Sequence, residues 1–226
     1  MAVANPTPRV VIFDLDGTLC DSAPGILAAL RHAFAVNGLP TMDEVTGRAL
    51  LGPPFYESLP PLIGAERLPD VIGAYREYYG HGAMFDVTAF PGVTDLLAAL
   101  RRHRVRLAVA TSKAEHYAGP ILEHLGMARY FETIGGDELD GSLGSKALVI
   151  GKVLSRLGGP APDSVVMVGD RSHDVLGARE HGIACIAVTW GYAVAGELVA
   201  AEPVQICASP GEVASRLGVR IDAEAS

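Results

Sequence analysis

Four short apolar runs limit what this chain can fold into, and three of them end in charged or hydroxyl residues. They are "VVIF" (Val10 to Phe13), "LAVA" (Leu107 to Ala110), "VVMV" (Val165 to Val168) and "ACIAV" (Ala184 to Val188), with a weaker "VQIC" at Val204 to Cys207. None alternates apolar and polar residues, so each reads as a strand buried on both faces, the habit of a parallel sheet. Amphipathic stretches separate them. "PGVTDLLAALRRH" places Val93, Leu96, Leu97 and Leu100 on one helical face, and "HYAGPILEHLG", "KALVIGKVLSRLGG" and "DVLGAREHG" all end in glycine, a helix-stop signal. Alternating strand and helix predicts an α/β class with a doubly wound, Rossmann-like parallel sheet.

The segment from about Cys20 to Phe85 breaks this rhythm and shows no strand pattern. "GILAALRHAF" carries Ile26, Leu27, Leu30 and Phe34 on one face, "TMDE" at Thr41 to Glu44 reads as a capping box, and a third helix is expected over Glu66 to Tyr79. "LLGPPF" between them reads as a loop. The expected organisation is a core of residues 1–18 and 88–226 with a helical cap of residues 19–87 inserted after the first strand.

Composition narrows the partners. With 226 residues, 49% of them hydrophobic, the chain can build a full core. A formal net charge of -8 argues against nucleic acid or an anionic membrane surface as partner, and no apolar run reaches the roughly 18 residues of a membrane helix. "MAVANPTPR" lacks a basic stretch followed by an apolar one, so no secretory signal is expected. Three widely spaced cysteines, Cys20, Cys185 and Cys207, make no disulfide framework and suit a reducing cytoplasm. Met1 to Pro8 and Gly218 to Ser226 read as frayed tails, and either a monomer or a homodimer is expected.

In open α/β sheets ligands bind beyond the carboxyl ends of the strands. There the sequence puts Asp14 and Asp16 after the first run, Thr111 and Ser112 after the second, and Asp170 and Asp174 of "GDRSHD" after the third. Four carboxylates together need a cation, and an oxygen-rich set without a His/Cys cluster suits Mg²⁺ with a substrate phosphate. Lys146 opens the helix "KALVIGKVL", an unfavourable first-turn place for a cation unless an anion meets it there.

"DLDGT", "ATSK", "GSLGSK" and "VGDRSHD", in that order, resemble the four motifs of the haloacid dehalogenase-like superfamily of phosphohydrolases, and the helical insert resembles its C1 cap. "DGTLCDS", "PGV" and "VTWGY" are most similar to phosphoglycolate phosphatase-type and 5′-nucleotidase-type members, with Ala193 standing where a third glycine is common. The resemblance implies a Mg²⁺-dependent phosphomonoesterase of a small phosphorylated metabolite, phosphoglycolate phosphatase-like or, alternatively, acting on nucleoside monophosphates. It implies Asp14 as nucleophile, Asp16 as general acid and base, and Thr111 and Lys146 as phosphate-stabilising groups. Mg²⁺ would be held by Asp14, the Asp16 carbonyl and Asp170, with Asp174 direct or through water. Substrate contacts are expected from Gly17, Thr18 and Ser112 in the core and from Arg48, Gly52 and Phe55 in the cap. Tyr75, Tyr78 and Tyr79 are read as cap packing. Retention of Asp16 disfavours a haloacid dehalogenase, Pro53-Pro54-Phe55 after Gly52 disfavours a sugar phosphomutase, and the full acid and lysine set disfavours a non-catalytic binding protein.

Overall fold

The computed structural model describes residues 8–221. In chain order these form β1 (Val10–Phe13), β2 (Cys20–Asp21), α1 (Ala23–Val36), α2 (Glu44–Ala49), α3 (Phe55–Ser58), α4 (Pro60–Ile63), α5 (Leu68–Gly80), β3 (Thr88–Ala89), α6 (Val93–Arg102), β4 (Arg106–Ala114), α7 (Glu115–His124) and β5 (Thr133–Asp137). There follow α8 (Lys146–Arg156), β6 (Val165–Gly169), α9 (Ser172–Glu180), β7 (Ala184–Val188), α10 (Glu197–Ala201), β8 (Gln205–Cys207) and α11 (Pro210–Arg216).

Six strands make one parallel sheet in the order β5-β4-β1-β6-β7-β8. The central strand shows why its run is continuously apolar. Val11 and Phe13 pack into one core with Leu96, Leu97, Leu100 and Ile121, while Val10 and Ile12 pack into a second core with Val149, Ile150, Val153 and Val175. Helices α6, α7 and α11 thus cover one face and α8, α9 and α10 the other, the doubly wound arrangement. The order reverses at β1, whose neighbours β4 and β6 depart to opposite sides, so a crevice opens beyond the carboxyl end of β1.

Between β2 and β3 lie α1 to α5, with α1 and α5 packed through Ile26, Ala29, Leu30 and Ala33 against Val71, Ile72 and Tyr75. β2 and β3 themselves form a two-residue antiparallel pair, Cys20 with Ala89 and Asp21 with Thr88, where the chain enters and leaves this helical segment.

The sequence expectation needs several corrections. β5 was not anticipated, because "TIGGD" carries two glycines, which weaken strands. They are there for approach: a Cβ on Gly135 would overlap the Val153 side chain of α8, and one on Gly136 would lie 2.5 Å from the Lys113 carbonyl. β4 runs on through Thr111 and Ser112 to Ala114, rather than ending at Ala110. Asp43, not Thr41, caps α2, its carboxylate accepting the Thr46 N–H at 2.7 Å. A 3-10 turn, Ala65–Arg67, takes the place of the first turn expected of the third cap helix. Gly218 to Ile221 is not a loose tail, since Val219 is buried and its N–H donates to the Ala214 carbonyl at 2.9 Å. The other residues read as tails lie outside those described, except Pro8.

Candidate active site

Asp14 is the first residue past β1, and its own N–H still donates to the Val168 carbonyl of β6 at 2.9 Å. Asp170 is the first residue past β6. Because β1 and β6 pair in register from Val10 with Val165 to Phe13 with Val168, the two carboxylates leave the sheet side by side. Asp174 joins them from the first turn of α9. All three are buried, and one carboxylate oxygen from each lies within 4.8 Å of the others.

Lys146, the first residue of α8, supplies the fixed positive charge. Its ammonium lies 2.8 Å from Asp14 Oδ1 and 2.8 Å from Asp174 Oδ1, and donates to the Ala110 carbonyl at 3.0 Å, so all three of its protons are placed. Ser145 caps the helix by accepting the Leu148 N–H at 3.2 Å. Burial works against the charged ammonium, but Asp14 and Asp174 more than offset it and hold the Lys146 pKa above its ordinary value. Burial pushes Asp14 up to about 7; Lys146 opposes that rise, while Asp174 and Asp16 add to it. Burial, then Asp14 and Asp174, raise Asp170 in the same way.

Asp170 is oriented from both sides. Thr18 donates its hydroxyl to Oδ1 at 2.9 Å and the Tyr192 N–H donates to Oδ2 at 2.7 Å. Gly17, at φ +80, and Gly191 both press on this carboxylate, and a Cβ on either would overlap Asp170 Oδ2. Gly17 and Thr18 therefore serve the acid cluster and are not among the residues that line the cleft.

Asp16 faces the other way, towards the cap. Its Oδ1 accepts the Ser22 hydroxyl and its Oδ2 lies 3.1 Å from Lys113 Nζ. Lys113 also donates to the Tyr79 hydroxyl at 2.9 Å and sits 4.8 Å over the Tyr79 ring. Burial resists the charge on Lys113, but Asp16, Tyr79 and Tyr75 overcome it and raise its pKa. Thr111 is buried within β4, where its hydroxyl oxygen accepts the Lys113 N–H at 3.2 Å.

Between the end of the six-stranded sheet and the helical segment of α1 to α5 opens a cleft, part of it open to solvent. Asp14, Asp16, Thr111, Ser112 and Lys113 form its floor; Gly52, Pro53, Pro54 and Phe55 form part of its roof. Tyr75 and Tyr79 both pack the cap and line the cleft, in a run of rings: Phe55 to Tyr75 at 4.9 Å, Tyr75 to Tyr79 at 5.2 Å and Tyr79 to Tyr117 at 5.3 Å. Tyr78 stands apart and stacks on His32. Arg48 does not reach the cleft: its side chain is 70% exposed and pairs with Glu44 at 3.3 Å one turn back along α2. Sequence reasoning missed Lys113, Arg171 and Tyr192. Only Lys113 had a local signal, its place directly after the hydroxyl pair in "ATSK".

The donor set can be tested for a divalent cation. With all three carboxyls ionised, as a bound cation would favour, they exceed the one buried ammonium by two negative charges. All the donors are hard oxygens, so an ion such as Mg²⁺ matches both the chemistry and the charge, with Asp14 and Asp170 placed to hold it. Asp174 is more committed, its Oδ2 accepting the Arg171 N–H at 3.0 Å and its Oδ1 pairing with Lys146.

Comparison with known proteins agrees with this geometry. The family model described as haloacid dehalogenase-like hydrolase matches residues 11–188. The chain is 47% identical over 186 residues to the tyrosine-protein kinase PtkA of Mycobacterium tuberculosis, a match covering 82% of this chain but only 64% of PtkA. It is 36% identical to a 5′-nucleotidase of Pseudomonas aeruginosa, covering 88% of this chain and 90% of that one, and 34% identical to phosphoglycolate phosphatase 1 of the same organism, covering 84% and 72%. A crystal structure of a predicted phosphatase from Clostridium acetobutylicum superposes with a TM-score of 0.88 at 33% identity, covering 93% of this chain and 98% of that one. The chain belongs to the haloacid dehalogenase-like hydrolases, an enzyme family in which its relatives include proteins named as phosphatases.

Proposed function

We propose that this enzyme hydrolyses a phosphomonoester of a small metabolite, with Mg²⁺ and through a phosphorylated Asp14. The observation that carries the reading is that Asp14, on the floor of the cleft and within ligand-sharing distance of Asp170, contacts Lys146 at 2.8 Å. Asp14 Oδ1 already accepts the Leu15 N–H at 2.7 Å and the Lys146 ammonium, which orients the carboxylate for in-line attack on phosphorus. Asp14, the Asp16 carbonyl and Asp170 would hold Mg²⁺, which would supply charge neutralisation for the phosphoryl group. Thr111 and Lys146 stabilise charge on the transferring oxygens. Asp16, on the cap side, is the acid–base group: carrying a proton in the substrate complex it would protonate the leaving alkoxide, and as the carboxylate so formed it would take a proton from the attacking water.

Within that class, one observation favours a planar organic leaving group over phosphoglycolate. The carboxylate of phosphoglycolate, a second anionic group beside the phosphate, calls for a cation in the cleft. Arg48 points to solvent and Lys113 is paired with Asp16; Arg76 lines the cleft and gives one N–H to the Tyr56 hydroxyl at 2.7 Å, so the preference rests on the rings rather than on a lack of cations. Phe55, half-buried on the cleft, offers an aromatic contact that a nucleoside monophosphate would use, with Tyr75 and Tyr79 buried and stacked on each other behind it. Phosphate release measured over nucleoside monophosphates, phosphoglycolate and sugar phosphates tests both levels. The expected result is Mg²⁺-dependent release, fastest with a nucleoside monophosphate and lowered at least about 1,000-fold in Asp14→Asn. Release that persists in EDTA or in Asp14→Asn refutes the mechanism, and a preference for phosphoglycolate refutes the leaving-group assignment.

A further inference from the structure

The seam between core and cap holds one buried arginine with partners on both sides. Arg171 follows Asp170 and is 7% exposed at the head of α9. On the core side its Nε donates to Glu197 Oε1 at 2.9 Å. On the cap side its Nη1 donates to the Leu51 carbonyl. Glu197 is fixed in turn: Oε1 accepts the Ser172 N–H at 2.8 Å and the Ser172 hydroxyl at 3.0 Å, and Oε2 accepts the Val194 N–H at 3.0 Å. A guanidinium gripped along one edge by so well-anchored a carboxylate is a rigid fork, with its remaining N–H groups pointing at a fixed place.

What stands at that place is backbone of the loop that roofs the cleft. Leu51 is buried, and the next residue, Gly52, adopts φ +103. A Cβ on Gly52 would lie 2.7 Å from Arg171 Nη1 and 3.0 Å from its Cγ, so the loop rests directly on the core arginine. Gly52 to Phe55, immediately after, line the cleft above Asp14 and Asp16.

We propose that Arg171, braced by Glu197, is a positioning residue that sets the height of the roof loop Leu51 to Phe55 over Asp14, and through it the grip on the leaving group. The effect on substrate rests on the phosphomonoesterase reading; the loop registration does not. Arginine is suited to this task because one planar group reaches both domains at once, which a lysine ammonium at the end of a flexible stem does less rigidly.

The test uses the full chain with Arg171→Met, Arg171→Lys and Glu197→Gln. Hydrogen exchange reads the loop without reference to catalysis, at the amides of Glu57, Ser58 and Leu59, which donate to the carbonyls of Pro54 and Phe55. Loss of one charge-assisted hydrogen bond is expected to speed exchange there about tenfold in Arg171→Met and Glu197→Gln, with Arg171→Lys intermediate. With a hydrolysed phosphomonoester, KM should rise about tenfold in the same variants while kcat changes less than about threefold. Exchange within about twofold of the parent protein in Glu197→Gln, which keeps the shape of the side chain, together with an unmoved KM, overturns the proposal. If the parent protein hydrolyses no phosphomonoester, the functional reading fails, and the exchange rates alone decide the registration.

Discussion

Removing the ammonium of Lys113 should cost this protein more than its place at a cleft wall suggests. Lys113 and Asp16 are 3.1 Å apart, with only 6% and 12% of their side chains exposed. At that separation, and an effective dielectric of about 20, two unit charges attract by about 5 kcal/mol. Desolvating both ions takes back several kcal/mol of this, so the pair itself is nearly neutral for stability. Breaking it is not neutral, because Asp16, mostly withdrawn from solvent, would keep only the Ser22 hydroxyl for support. Lys113→Met keeps the length of the stem, so no cavity contributes, and the Tyr79 hydroxyl loses its partner for about 1 kcal/mol more. The expected loss is about 2–4 kcal/mol. Asp16→Asn should cost a similar amount, and the double variant less than the sum, with a coupling of about 2–3 kcal/mol. Urea unfolding followed by the fluorescence of Trp190, in EDTA so that cation binding does not enter, measures all three variants. A coupling below about 0.5 kcal/mol would show that the two groups do not depend on each other, and that Asp16 is not tied to the cap through Lys113.

Two further outcomes follow from the acid cluster. The pKa of Asp14 stands at about 7 in the folded protein against an ordinary 3.8, so the folded state binds more protons than the unfolded one between those values. Stability of the metal-free protein should therefore fall as pH rises through that window, and Mg²⁺ at a hundred times its dissociation constant should restore about 2.7 kcal/mol at neutral pH. Thermal melts at pH 5 and pH 8, with and without Mg²⁺, check this, and a metal-free melting temperature no lower at pH 8 would contradict it. Gly17→Ala pushes a methyl group into Asp170 Oδ2 at a residue with φ +80. Calorimetric titration should show Mg²⁺ bound at least about tenfold more weakly, and unchanged affinity would mean that Asp170 is not a ligand.

The parts of the fold that could be read from the sequence are those where burial on two faces leaves a continuous apolar run. β1, β4, β6 and β7 qualify, and the acids that follow β1 and β6 were legible for the same reason. β5 escaped because its glycines exist to let Val153 and the β4 backbone come close, a contact that sequence pattern does not carry. Lys146 could be found from its conflict with the helix dipole. Arg171 could not, because its meaning lies in a carbonyl 120 positions earlier and a carboxylate 26 positions later. Arg48 was placed in the cleft on the strength of its position before the Gly52 loop, but the phase of α2 turns it towards Glu44 and solvent.

The two-residue pair of β2 and β3 has a bearing on how the chain folds. β1 must find β4, with Val10 beside Arg106, and β6, with Val10 beside Val165, so the central strand has no neighbour close in sequence. Such distant pairings are slow, since the ends of a long loop must meet before any contact rewards the meeting. Pairing Cys20 with Ala89 ties off the whole helical segment, and the detour left between β1 and β4 is then only the short stretches on either side of the knot. Once its helices collapse and bring their own ends together, the insert works as a staple that shortens the search for the first pairing of the sheet.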